Sequence, residues 1–107
     1  MAEETLLERK SKSKKKVFRP PMYAVYMLND DYTTMDFVVN ILMSVFHHSE
    51  QDAFNIMMKV HTQGKALCGV YVKEIAKSKI AKTHRLARER NFPLRCIMEP
   101  EKENGAE

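Results

Sequence analysis

Two rhythms of apolar residues alternate along this chain. Tyr23 to Leu28 (YAVYML) is a short run of aromatic, branched and aliphatic side chains, the composition of a buried strand. Asn29-Asp30-Asp31-Tyr32 interrupts it with turn residues. The period then lengthens. Phe37, Ile41 and Val45 recur at every fourth place, with Val38, Leu42 and Phe46 beside them, which is a wide helical face. Thr33 and Asp36 have capping-box spacing, so the helix is predicted to start there and to close at His47-His48. Ser49 and Asp52 repeat the pattern and open a second helix. Its inner face is Ala53, Met57, Val60 and His61, and Gly64 is placed to stop it. Ala66 to Val72 (ALCGVYV) reads as the second strand. Glu74 to Arg90 reads as a third helix with Ala76, Ile80, Thr83 and Ala87 inward, ended by Asn91 and Pro93. Leu94 to Met98 is predicted as the third strand, with Pro100 closing the fold.

The resulting order, β-α-α-β-α-β, predicts an α/β fold of the α+β two-layer type. A three-stranded antiparallel sheet packs against three helices. The chain has 107 residues and a formal net charge of +4, enough for one domain and too little for a large barrel or a full doubly wound sheet. Where the charge sits refines this. Residues 1–21 carry seven Lys/Arg against three Glu, and KSKSKKK repels itself, so a flexible basic N-terminal extension is expected up to Pro20-Pro21. The core domain is then 22–98, and 99–107 is an acidic C-terminal tail. No apolar run reaches the ~18 residues of a membrane span, and Met1 to Lys16 is charged rather than signal-like. Cys68 and Cys96 have no metal-type spacing, which predicts reduced thiols, a cytoplasmic protein and no cofactor or metal.

The candidate chemistry lies around the first turn. As structure alone, Asn29, Asp30 and Asp31 are turn residues whose carboxylates favour a helix start. His61 is a histidine at a core edge, and Met35 and Val38 are helix packing. Taken together they suit one kind of ligand. Polar and acidic acceptors beside a Met- and Val-lined patch fit a cationic head on an apolar body, as in a peptide amino terminus that begins with a large hydrophobic residue.

Three motifs carry a resemblance. R-P-P-M-Y-x-V (Arg19 to Val25), N-D-D-Y-T-x-M-D-F (Asn29 to Phe37) and V-H-x-Q-G-K-A-x-C-G-V-Y (Val60 to Tyr71) resemble the ClpS family, adaptors of the ClpA/ClpP protease in the N-end rule pathway. The resemblance runs from about Arg19 to Met98, with Thr34 where the family commonly has proline. It implies an adaptor rather than an enzyme, one that binds proteins beginning with Leu, Phe, Tyr or Trp and delivers them for degradation. It implies that Asn29, Asp30, Asp31 and His61 hold the α-amino group, and it leaves open which aspartate does so directly. Leu28, Thr33, Met35, Val38, Met57, Val60 and Leu94 would line or border the side-chain pocket. Glu74 and Lys79 would meet the N-domain of a ClpA-type AAA+ unfoldase. The free protein would be a monomer with no membrane or nucleic-acid partner.

The main rival is a small basic nucleic-acid-binding protein, because Lys73, Lys77, Lys79, Lys82, Arg85, Arg88 and Arg90 crowd the third helix. The period of that helix makes the run a solvated face opposite its apolar stripe, and no helix-turn-helix, RNA-binding aromatic motif or zinc-finger spacing accompanies it. An enzyme is the weaker rival. Gly64, Gly69 and Gly105 are the only glycines, so there is no phosphate-binding Gly loop, and neither a nucleophile elbow nor H-E-x-x-H occurs.

Overall fold

The computed structural model describes residues 19–102. Most of the basic extension and the end of the acidic tail lie outside the described residues. Six elements appear in the expected order: β1 (Met22–Leu28), α1 (Met35–Ser44), α2 (Glu50–Gln63), β2 (Lys65–Val72), α3 (Lys73–Glu89) and β3 (Arg95–Pro100). The sheet order is β2-β1-β3, antiparallel throughout. This is the expected arrangement of three strands and three helices.

The most apolar strand takes the centre. Val25 and Met27 of β1 are fully buried, facing Ile41 and Leu42 of α1 and Ala53, Met57 and Val60 of α2. Shaving any of the large ones to alanine costs about 2–5 kcal/mol. On its buried side α3 presents small residues, Ala76, Thr83 and Ala87. The Thr83 hydroxyl is buried there with no hydrogen-bond partner among the described residues. A β-bulge interrupts β1–β2 pairing, so that Cys68 has no partner between Gly69 (opposite Val25) and Leu67 (opposite Tyr26). The bulge frees the Cys68 carbonyl to accept from His48 Nε2 at 2.6 Å, which ties the α1–α2 connection to the sheet.

Strands β1 and β2 and helix α3 each start one residue before the expected position, α3 ends one residue sooner, and three further differences have a physical reason. The first helix is capped by Thr34, whose hydroxyl accepts from Phe37 N at 3.2 Å, and not by Thr33. The Thr33 hydroxyl is occupied elsewhere, as described below. Helix α1 also ends at Ser44. His48 N donates to the Leu42 carbonyl at 3.0 Å while His47 adopts a left-handed φ of 63°, so Val45 and Phe46 are buried beyond the helix rather than on its face. Finally, β3 starts one residue later than expected and includes Pro100, opposite Tyr23. Proline is tolerated there because β3 is an edge strand. Glu99, expected in the tail, lies in the same strand, with its carboxylate 3.9 Å from Lys65 Nζ.

Candidate functional site

The site forms where three segment ends meet. Gly64, with φ of 91°, stops α2 in the left-handed conformation that glycine adopts without strain. Its carbonyl accepts from Asn29 N at 2.9 Å. That bond continues the β1–β2 ladder past the Leu28–Lys65 pair and brings the turn after β1 to the last turn of α2, which carries His61. Neither the strand rhythm nor the helix rhythm predicts the contact.

Within the turn, Asp30 holds its neighbours. Its Oδ1 accepts from Tyr32 N at 2.8 Å and from Thr33 N at 2.7 Å, and its Oδ2 accepts from Thr33 Oγ1 at 2.7 Å. Partial burial alone would raise its pKa. The bonds from Thr33 N, Thr33 Oγ1 and Tyr32 N outweigh that and hold the carboxyl below its ordinary value. This explains the displaced helix cap, since Thr33 serves Asp30 and leaves capping to Thr34. It also separates the two aspartates. Asp30 is engaged with its own backbone, whereas Asp31 is exposed and makes no hydrogen bond among the described residues.

A cavity of about 220 Å³ opens beside this turn. Asn29, Asp30, Asp31 and His61 form its polar side. Thr33, Met35, Val38, Met57 and Val60 complete the wall. Val38, Met57 and Val60 are buried and fixed by the core, while Met35, the first residue of α1, remains 45% exposed at the mouth. The volume is about seven waters' share of liquid, at roughly 30 Å³ each, which suits one side chain rather than a length of chain. One rim of the cavity can accept hydrogen bonds at Asn29 Oδ1, the Asp31 carboxylate and a neutral His61 imidazole. The floor is apolar.

Leu28 and Leu94 do not line this cavity. Leu94 is buried in the core, and its exposed edge faces a separate depression with His84 and Arg95. Glu74 is exposed in the first turn of α3, with its carboxylate 3.9 Å from Lys77 Nζ. Lys79 is half-buried. Its Nζ donates to the Val45 carbonyl at 2.8 Å and lies over the Phe46 and Tyr71 rings. Among the described residues no three His, Cys, Asp or Glu side chains are grouped to hold a metal, and no helix is long and apolar enough to cross a membrane.

Comparison with known proteins gives one consistent result. Residues 18–97 match the family described as ATP-dependent Clp protease adaptor protein ClpS. The ATP-dependent Clp protease adapter protein ClpS of Acetivibrio thermocellus is 52% identical over 101 residues, spanning 94% of this chain and 100% of that one. The protein of the same name from Nautilia profundicola is 54% identical over 83 residues, 78% of this chain and 86% of its own. Among solved structures, Agrobacterium tumefaciens ClpS2 bound to L-phenylalaninamide superposes with a TM-score of 0.75 at 41% identity, covering 78% of this chain and 100% of that chain.

Proposed function

The chain belongs to the ClpS family of Clp protease adaptors, and from that premise we propose that its cavity holds the free amino terminus and first side chain of proteins to be degraded. The observation that carries the proposal is the division of labour in the turn. Asp30 is engaged with its own backbone, while Asn29, Asp31 and His61 face the cavity with acceptor capacity to spare. An ammonium offers three donors and needs only acceptors, so the three groups match it in number. Asp31 supplies the countercharge directly. Asp30 acts through the turn that it holds.

The wall of Val38, Met57 and Val60 then takes the first side chain. Burying a Leu- or Phe-sized group contributes about 1.5–3 kcal/mol, and each bond to the charged amine contributes a similar amount. After association costs this gives an affinity on the order of micromolar. Met35 at the mouth stands beside the ligand's Cβ, so it selects against stiff β-branched residues and passes Leu, Phe, Tyr and Trp. L-phenylalaninamide, the ligand of the Agrobacterium tumefaciens protein, carries both recognised features, a free α-amine and a large side chain.

Delivery to a ClpA-type AAA+ unfoldase is the second half of the proposal. Glu74 is free to meet the N-domain of such a partner, whereas the Lys79 ammonium is held by the Val45 carbonyl and contributes mainly by shaping the surface beside it. The decisive experiment compares a Leu-initiated peptide with its N-acetylated form. Acetylation removes the cation and leaves Asn29, Asp31 and His61 poorly partnered, so affinity should fall by at least about a hundredfold. Equal binding of the two would refute amino-terminal recognition.

A further inference from the structure

Beyond the cavity lies a second, wider depression that the amino-terminal reading does not use. It is shallow and open to solvent, with Tyr32, 75% exposed, and Arg88, Asn91, Phe92 and Pro93 around it. It continues past Phe92 and Pro93 into a hollow edged by His84, Leu94 and Arg95, and Arg88 lines both parts. Asp31 and Thr33 line the first cavity and Tyr32 lines the second, so one residue step, about 3.8 Å between Cα atoms, separates the two rims.

The charges of the two depressions are opposite. No carboxylate lines the second one, and neither Arg88 nor Arg95 has an acidic partner within 4 Å among the described residues. Both guanidinium groups are exposed and, with no counterion among the described residues, can pair with an anion from outside. The positive field also reaches inward. Burial, and then Arg95 and Arg88, hold the pKa of His84 below its ordinary value, and its Nε2 accepts from Cys96 N at 3.0 Å. The floor is apolar and aromatic, supplied by Phe92, which is fixed edge-on against Phe37 at 5.0 Å between ring centroids.

We infer that this groove is a second subsite for the same substrate chain, one that takes acidic residues a few places after the first. The inference rests on the first cavity holding an amino terminus. A chain leaving that cavity over Tyr32 passes from an acidic rim into a basic groove. The best substrate therefore carries a positive charge at its amino terminus and carboxylates shortly after it. An extended chain advances about 3.3 Å per residue, so its next few residues cross the one-residue step between the two rims.

The test uses the full-length protein and Phe-initiated peptides of one length. One carries a Glu-Glu pair just after the second residue, one carries the pair only at its far end, and one has Gln-Gln in place of the early pair. The early-Glu peptide should bind roughly three- to tenfold tighter than the other two at low salt, as two exposed ion pairs allow, and the gain should shrink as salt is raised. In the double variant Arg88→Glu/Arg95→Glu, both on the surface, the preference should reverse towards the Gln peptide. The N-acetylated early-Glu peptide is measured alongside. If it binds far more weakly than the free form while early-Glu and Gln peptides bind alike, the groove proposal is overturned and the cavity reading stands. If acetylation makes no difference, the cavity reading itself fails. If a single-stranded oligonucleotide binds through Arg88 and Arg95 and acidic peptides show no preference, the groove is a nucleic-acid surface and the substrate proposal is wrong.

Discussion

Two short connections flank the groove, and they are built in opposite ways. The 29–33 turn is held by a charge, since Asp30 closes it with three hydrogen bonds. The 90–94 corner is held mainly by backbone bonds and aromatic packing, with the Arg90 guanidinium 5.5 Å from the centroid of the Phe37 ring. There Asn91 takes a left-handed φ of 63°, Phe92 N returns to the Ala87 carbonyl at 2.9 Å, and the Phe92 ring wedges against Phe37. The first connection consumes a carboxylate and leaves its neighbour Asp31 available. The second engages only Arg90, over the Phe37 ring, and leaves Arg88 and Arg95 available. Where the fold consumes a charge, mutation should damage stability and binding together. Where the charge is left over, binding alone should change.

The largest effect is expected at Asp30. Asp30→Ala removes the acceptor for three donors, which should cost about 1–2 kcal/mol of stability, in the range of a lost cap, and reduce Leu-peptide affinity by more than an order of magnitude. Asp31→Asn should leave the melting temperature unchanged while affinity falls roughly tenfold, because it removes only a countercharge. Thermal melts and peptide titrations on both variants check this. Equal stability losses in the two would erase the distinction between them. The acid limb of unfolding should also carry the Asp30 signature. Its folded pKa is depressed, so its contribution is present above the ordinary carboxylate range and is lost as pH falls through that lowered value. Asp30→Ala should flatten that limb.

The aromatic corner breaks differently. Phe92→Ala should destabilise by about 2 kcal/mol, less than the roughly 3–5 kcal/mol of a fully buried phenylalanine, and lower the melting temperature by about 10 °C. Discrimination between free and acetylated peptides should survive, because Phe92 does not line the first cavity. A Phe92→Ala variant that melts normally but no longer distinguishes the two peptides would show that the corner shapes the cavity after all.

The smallest effect concerns His84 beside the same corner. Its folded pKa lies below the ordinary value, so the unfolded chain binds the proton more readily. Stability should be full above about pH 6.5, the ordinary histidine value, and should decline as pH falls below it. In His84→Gln this slope should vanish while the acid limb from Asp30 remains. Chemical denaturation at a series of pH values separates the two.

Much of this architecture is legible in the sequence because local chemistry and tertiary position agree. Ser49 caps α2 as its spacing with Asp52 predicts, through a 3.1 Å bond from Asp52 N, and Gly64 ends the helix where expected. The inward set Ala76, Thr83 and Ala87 is buried. Capping at Thr33 was not legible correctly. Two adjacent threonines compete for one role, and the deciding bond comes from Asp30, which precedes the helix. Leu94, expected to line or border the pocket, is not among the residues lining the first cavity, for a related reason. Its position next to a strand says that it is buried but not which cavity it faces. The basic groove escapes sequence reading altogether. The run on α3 reads as a solvated face, and only folding sets Arg88 near Tyr32, more than fifty places away in the chain, and Arg95 beside the same depression as Arg88.

The Asp30 turn also sets a timescale. Tyr32 and Thr33 are tethered by bonds internal to the chain, so nothing at the mouth of the cavity has to be assembled when a ligand arrives. A site that is ready in advance is reached at the ordinary protein–peptide rate, about 10⁵–10⁷ M⁻¹ s⁻¹, whichever residue comes first. Peptides that differ in affinity should therefore differ in how long they stay. At micromolar affinity that residence is on the order of a second. On the delivery role proposed above, such a dwell would outlast a diffusional encounter with a partner and still let the bound chain leave.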